Sequence, residues 1–117
     1  VLYIEDDLAN IALIERYLSA IDCDFRTAID GGSGITKAVD NPPDVILLDI
    51  YLPDLHGIDV VTEIKSIPAL AHIPVVAITT DDSMELKQAC MAHNFAAVLH
   101  KPVRPQDLLG VIQQMTA

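Results

Sequence analysis

Four short aliphatic runs in this chain each lead into a polar side chain, and this repeated join restricts the fold more than any other feature. Val1-Leu2-Tyr3-Ile4 leads into Glu5, Asp6 and Asp7, and Val45-Ile46-Leu47-Leu48 leads into Asp49. Val75-Val76-Ala77-Ile78 leads into Thr79, and Ala96-Ala97-Val98-Leu99 passes through His100 to Lys101. Near-continuous aliphatic runs of this length suit parallel strands buried on both faces. Parallel strands bring their carboxyl ends to one edge, where open α/β sheets bind ligands. Three carboxylates, a hydroxyl and an ammonium are thereby expected in one crevice.

The segments between the runs carry helical periodicity. Ile11, Ile14, Leu18 and Ile21 form one apolar stripe, with Asp7 or Asn10 placed to cap its start. Val60, Val61, Ile64 and Ile67 form another, stopped by Pro68. Asp82-Ser83-Met84-Glu85 resembles a capping box ahead of Leu86, Ala89, Cys90 and His93. Asn94 follows where a left-handed residue is tolerated. Pro105 suits the first turn of a last helix that turns Leu108, Leu109, Ile112 and Met115 inward. Asp24 to Ile29 alternates in part, as a half-exposed edge strand does. Gly31, Gly32 and Gly34 are expected to break the chain before a weak helix around Ile35 to Val39, and Asn41-Pro42-Pro43 to turn it into the third strand. Right-handed crossovers then place the half-polar second strand outermost. The expected fold is a doubly wound α/β domain: five parallel strands in the order 2-1-3-4-5, with helices on both faces.

At 117 residues the chain forms one domain, 1–117. Hydrophobic residues make up 51% of it, yet only five are aromatic, so the core is aliphatic. Val1 lies within a strand with no initiator Met before it, and the domain is expected to be part of a longer protein. Its formal net charge of −10 opposes direct nucleic-acid binding and favours solubility. Its apolar runs fall far short of the roughly 18 residues that span a bilayer, and no basic segment followed by an apolar one marks an export signal. Cys23 and Cys90 form no C-x-x-C pair and are expected as small buried hydrophobes in a reducing, cytoplasmic compartment. His56, His72, His93 and His100 fit no zinc or phosphodonor pattern. They are expected at the surface or at helix ends, with His93 partly buried.

Glu5 and Asp6 follow the first strand and Asp49 ends its neighbour, so three carboxylates meet where the strand order reverses. Such a cluster repels itself unless a cation or protons intervene. All-oxygen donors in small number point to Mg²⁺, held by one or two carboxylates, a backbone carbonyl and waters. As an alternative, Glu5, Asp6 and Asp7 serve only the start of the first helix; Asp49 at the adjacent strand end tips the balance toward a metal. Lys101 precedes Pro102, a dipeptide able to form a tight turn that aims the ammonium over the sheet edge. Thr79 sits between Asp49 and Lys101. Mg²⁺, Lys101 and Thr79 could together contact the oxygens of a transferred phosphoryl group, with Asp49 as nucleophile.

With these residues in place, the chain resembles the receiver domain of two-component response regulators, a family of flavodoxin-like strand order. The resemblance rests on Glu5-Asp6, on Asp49 within Leu47-Leu48-Asp49-Ile50-Tyr51-Leu52-Pro53, and on Gly57, Thr79 and Lys101-Pro102. Ala28-Ile29-Asp30-Gly31 adds to it, as do intervals of 43, 30 and 22 residues between Asp6, Asp49, Thr79 and Lys101. It implies that Asp49 accepts a phosphoryl group from a histidine kinase or histidine phosphotransfer protein. It also implies that Asp6, Asp49 and the Tyr51 carbonyl bind Mg²⁺, with Glu5 acting through water. Lys101 would pair with Asp49 and then with the phosphoryl group, and Thr79 would move toward it. The surface of helix four, strand five and helix five would then switch toward an effector domain or protein, and a homodimer is compatible with this. The domain would catalyse only its own phosphorylation and hydrolysis. Its first helix, with Asn10 and Tyr17, resembles those of receivers in hybrid sensor histidine kinases.

Four positions depart from the family pattern. Val98 stands where an aromatic residue usually reports the movement of the Thr. Thr80 replaces a smaller residue, Tyr51 and Asp81 flank the phosphoryl position, and Asn94 replaces a common Gly. Other readings fit less well. A small-substrate phosphatase with an Asp nucleophile needs a second acid where Tyr51 stands. A flavodoxin-like cofactor binder needs a phosphate loop that Glu5-Asp6-Asp7 would repel. A phosphorylation-independent docking or dimerisation module is the main alternative, opposed by the intact acid set and mildly favoured by Val98.

Overall fold

The computed structural model describes residues 1–116. Strands β1 (Leu2–Ile4), β2 (Arg26–Ala28), β3 (Ile46–Asp49), β4 (Val75–Thr79) and β5 (Ala97–His100) alternate with helices α1 (Leu8–Leu18), α2 (Gly31–Asp40), α3 (Gly57–Ser66), α4 (Met84–Ala92) and α5 (Pro105–Thr116). The strands are all parallel, in the order β2-β1-β3-β4-β5. This is the arrangement expected from the aliphatic runs.

Alternate side chains enter two cores on opposite faces of the sheet. Leu2, Ile4, Ile46, Leu48, Val75 and Ala77 pack with residues of α2, α3 and α4. Tyr3, Val45, Leu47, Val76 and Ile78 pack with Ile14 and Leu18 of α1 and Leu108 and Ile112 of α5. Burial on both faces is why the sequence shows continuous aliphatic runs instead of alternation. Register sets the site. Asp49 lies beside Ile78 and Thr79 beside His100, so the polar residues after the runs emerge along one edge.

Several local expectations need correction. The glycines after β2 do not break the chain, because α2 already begins at Gly31. Asp30 caps it by accepting from the Ser33 N–H, and the Asp54 carboxylate accepts from the Gly31 and Gly32 N–H groups at 2.8 and 3.0 Å. Gly34 lets this helix press onto β1: a Cβ there would lie 2.5 Å from Ile4 Cδ1. Ile21 falls beyond the end of α1 and is 39% exposed, so it leaves the buried stripe. Ser83, not Asp82, caps α4, accepting from the Leu86 N–H at 3.2 Å. His93 is exposed at the end of α4, and Cys23 is only partly buried while Cys90 is fully so. Asn94 does take the left-handed conformation, with φ 65°.

Gly57 opens α3 in close contact with the chain that follows Asp49. Its N–H donates to the Ile50 carbonyl at 2.6 Å, and an added Cβ would lie 2.8 Å from Ile50 Cα. Backbone cannot yield as a side-chain tip can. Gly57→Ala is therefore expected to lose about 1–3 kcal/mol by overpacking. Gly110, in α5, has nothing within 4 Å of such a Cβ. Gly110→Ala should gain about 0.5–1 kcal/mol from helix propensity. Urea denaturation of the two variants checks both signs.

Candidate functional site

The turn after β1 sends its three acids to different tasks. Asp7 caps α1, accepting from the Ala9 N–H at 2.8 Å. Asp6 stays exposed, and Glu5 turns inward to 1% exposure. Asp49, at the end of β3, is 7% exposed. One carboxylate oxygen from each of Glu5, Asp6 and Asp49 lies within 4.8 Å of the others.

Lys101 reaches this cluster from the turn after β5, where the Lys101–Pro102 bond is cis. Its Nζ lies 3.6 Å from Asp49 Oδ1 and, closer, 3.1 Å from Glu5 Oε2. The ammonium thus bridges two buried acids instead of serving Asp49 alone. Glu5 is held further by Asn10 Nδ2 at 3.1 Å, the Asp7 N–H at 3.3 Å and the Tyr3 hydroxyl at 3.3 Å.

One ammonium does not neutralise this group of acids. Burial, then the neighbouring charge of Glu5, pushes the Asp49 carboxyl up to about 6; Lys101 and the Tyr51 backbone act in the opposite direction. Burial and the same acids push the Tyr3 phenol well above its ordinary range. A pocket of hard oxygen donors, short of positive charge and open on the Asp6 side, fits a small divalent cation such as Mg²⁺.

Thr79 is buried at the end of β4, and its Oγ1 accepts from the Asp81 N–H at 3.0 Å. Tyr51 is 53% exposed, with its hydroxyl donating to Asp81 Oδ2. Ser83, the α4 cap, donates its N–H to the other Asp81 oxygen at 2.9 Å. Asp81 therefore ties the turn after β3, Thr79 and the start of α4 together. Thr80 is exposed beside Tyr3, Asn10 and Lys101. Val98 leaves a shallow groove with Cys90, Met91, Phe95 and His100, where the enclosed His100 Nε2 has no hydrogen-bond partner.

Glu5, Asp6, Asp49 and Lys101 thus come together as the strand order requires, and Thr79 ends the adjacent strand. Tyr51 lies two residues beyond Asp49, bridged to His56. Sequence reasoning missed the parts played by Tyr3 and Asn10. A signal for Tyr3 was available: residues i and i+2 of a strand share a face, so Tyr3 points the same way as Glu5. The Tyr51–Asp81 bond joins two loops and has no local signal.

The family model of the response regulator receiver domain matches residues 1–113. Response regulator PleD of Caulobacter vibrioides is 32% identical over 116 residues, which cover 99% of this chain and 26% of PleD. This chain thus spans about a quarter of that relative's length. The chemotaxis response regulator CheY4 of Vibrio cholerae is similar in structure, with a TM-score of 0.90 and 27% identity across 97% of this chain and 95% of that one. The receiver domain of sensor histidine kinase PA1611 from Pseudomonas aeruginosa has a TM-score of 0.90 and 25% identity, covering 98% of this chain and 94% of that one. Its structure holds a magnesium ion coordinated in the active-site cleft.

The electrostatics predict a stability change. Folding raises the Asp49 carboxyl from 3.8 to about 6, so the folded protein binds its proton more tightly than the unfolded chain does. The resulting penalty is absent well below pH 4, grows as pH rises, and is complete above about 6. Asp49→Asn removes the charge and also the attraction to Lys101. In chelator-treated protein at pH 7 it should stabilise the fold by about 1–3 kcal/mol, a gain that vanishes near pH 4. Denaturation at both pH values measures it.

Proposed function

The chain belongs to the response regulator receiver domain family, and on that premise we propose that Asp49 accepts a phosphoryl group from a phosphohistidine. The donor is a histidine kinase or a histidine phosphotransfer protein. The observation that carries this reading is the meeting of Glu5, Asp6 and Asp49 within 4.8 Å, with Lys101 3.6 Å from Asp49.

An Asp49 oxygen attacks phosphorus as the bond from phosphorus to the donor imidazole nitrogen breaks, and that nitrogen keeps the electron pair. With its carboxyl at about 6, Asp49 is mostly ionised at neutral pH and ready to attack. Asp6, Asp49 and the Tyr51 carbonyl would hold Mg²⁺, with Glu5 acting through water; the bound ion supplies positive charge to the phosphoryl oxygens. The magnesium described for the PA1611 receiver supports this assignment. Lys101 adds a second positive charge. Thr79 Oγ1 already accepts from Asp81, so its own proton is left for an anionic oxygen.

The phosphorylated domain alters the surface of α4, β5 and α5 toward an effector domain or protein, and a homodimer through it is compatible with this reading. The only reactions it catalyses are its own phosphorylation and hydrolysis. Its charge of −10 disfavours nucleic acid as a direct partner. No helix among the described residues is long and apolar enough to cross a membrane. A cytoplasmic location is part of the proposed reading and rests on the family alone. The groove beside Val98 favours, as second reading, a docking module that works without phosphate.

A small acyl-phosphate donor with Mg²⁺ should label the wild-type domain, and Asp49→Asn should abolish labelling, read by intact-protein mass. Label retained on the Asn variant removes Asp49 as acceptor. Lys101→Ala should keep most metal binding while losing the phosphate-dependent change in partner affinity.

A further inference from the structure

Among the described residues Tyr3 is the only aromatic side chain at 0% exposure, Phe95 being 9% exposed, and its polar end meets the site. Its ring packs on the α1 and α5 side among Ile14, Leu47, Val76 and Ile78. An aliphatic residue would fill that space without a hydroxyl to satisfy, because a buried phenol is tolerated only where its O–H finds a partner. The partner here is Glu5 Oε2, at 3.3 Å.

That oxygen is also the nearer contact of Lys101. Oε2 takes the Tyr3 hydroxyl and Lys101 Nζ at 3.1 Å, while Oε1 takes the Asp7 N–H, Asn10 Nδ2 and Lys101 Nζ at 3.4 Å. Glu5 is 1% exposed, so no solvent competes for these lone pairs. Every neutral donor on a carboxylate spreads its charge and weakens its hold on a cation. Lys101 rests nearer Glu5 than Asp49, and it must share itself with Asp49 when a phosphoryl group arrives.

We propose that Tyr3 is a positioning residue of the phosphoacceptor site: its hydroxyl orients Glu5 and loosens the grip of Glu5 on Lys101, leaving the ammonium available to Asp49. Asn10 secures the other oxygen of the same carboxylate. The proposal rests on the phosphoacceptor reading given above. Without the hydroxyl, Lys101 becomes the sole donor on Oε2 and is drawn toward Glu5.

Tyr3→Phe keeps the ring and deletes only the O–H. At saturating Mg²⁺ and acyl-phosphate donor, its labelling rate constant should fall about three- to tenfold, the range of one ordinary hydrogen bond, as suits a contact of 3.3 Å. In a Lys101→Ala background the same substitution should change the rate by less than about 1.5-fold, because the effect passes through Lys101. A merely structural role for Tyr3 would slow both backgrounds alike. Wild-type labelling by Tyr3→Phe, or an equal loss with and without Lys101, overturns the proposal.

A second readout needs neither metal nor phosphate. A phenol bonded to a carboxylate emits weakly, so Tyr3 fluorescence is taken as wild type minus Tyr3→Phe in chelator-treated protein. That emission should rise on Glu5→Gln. Unchanged emission removes the Tyr3–Glu5 bond and the proposal with it. Failure of the wild-type domain to label at all would instead count against Asp49 as acceptor, and the fluorescence would still decide the contact.

Discussion

Two buried carboxylates, Glu5 and Asp49, share a single ammonium, and the rest of the site is arranged around that imbalance. Lys101 lies 3.1 Å from one and 3.6 Å from the other, with the exposed Asp6 adding a third negative charge nearby. Leaving a buried charge unpaired is expensive, and pairing it is weak evidence for stability in its own right. The protein meets the demand unevenly. Glu5 receives three neutral donors besides Lys101, whereas Asp49 remains the carboxyl that burial and its neighbour push up to about 6. The destabilised partner is the one proposed to react, and perturbed groups of this kind cluster at functional sites.

The sheet makes such crowding affordable. Side chains on both faces of β1, β3 and β4 are buried, so the central strands are held by two cores at once. Rigid strands fix their carboxyl ends, and the acids follow immediately after them. Where backbone must come close, small residues permit it: Gly34 lets α2 settle on Ile4, and Gly57 lets α3 start against Ile50. Asp54 then ties the segment after β3 to the first turn of α2 through two N–H groups, and its carboxyl is lowered as a result. The segment that follows Asp49 is thereby fixed to the starts of both α2 and α3.

Strand order and the identity of the acids could be read from the chain because both follow from short-range pattern. Aliphatic runs mark buried parallel strands, and each polar residue directly follows a run. The errors arose where packing overrode local propensity. Glycines at 31, 32 and 34 read as a break, yet β1 and Asp54 supply contacts that make helix the better state there. Ile21 fitted the periodicity of α1, but the helix ends before reaching it. His93 shared a face with Leu86 and Cys90 in the pattern and still lies exposed, because α4 ends at Ala92 and His93 is the residue that caps it. Contacts between distant loops, such as Tyr51 with Asp81, have no period and leave no trace in one sequence.

Thr79 is tied to the surface by polar bonds, with Val98 in place of an aromatic residue on the neighbouring strand. Its Oγ1 accepts from Asp81, whose carboxylate is gripped by the Tyr51 hydroxyl on one oxygen and the Ser83 N–H on the other. Ser83 caps α4, so the chain of bonds runs from the buried end of β4 to the first turn of that helix. Any shift of Thr79 toward Asp49 has to stretch or surrender the bond from the Asp81 N–H. The loop then loses the contact that fixes it to β4, and its remaining ties are Tyr51 and the α4 cap. Val98 is small and packs at the edge of the core beside the groove of Cys90, Met91 and Phe95. It offers no ring at that position, and the bonds through Asp81 are what join the end of β4 to the first turn of α4.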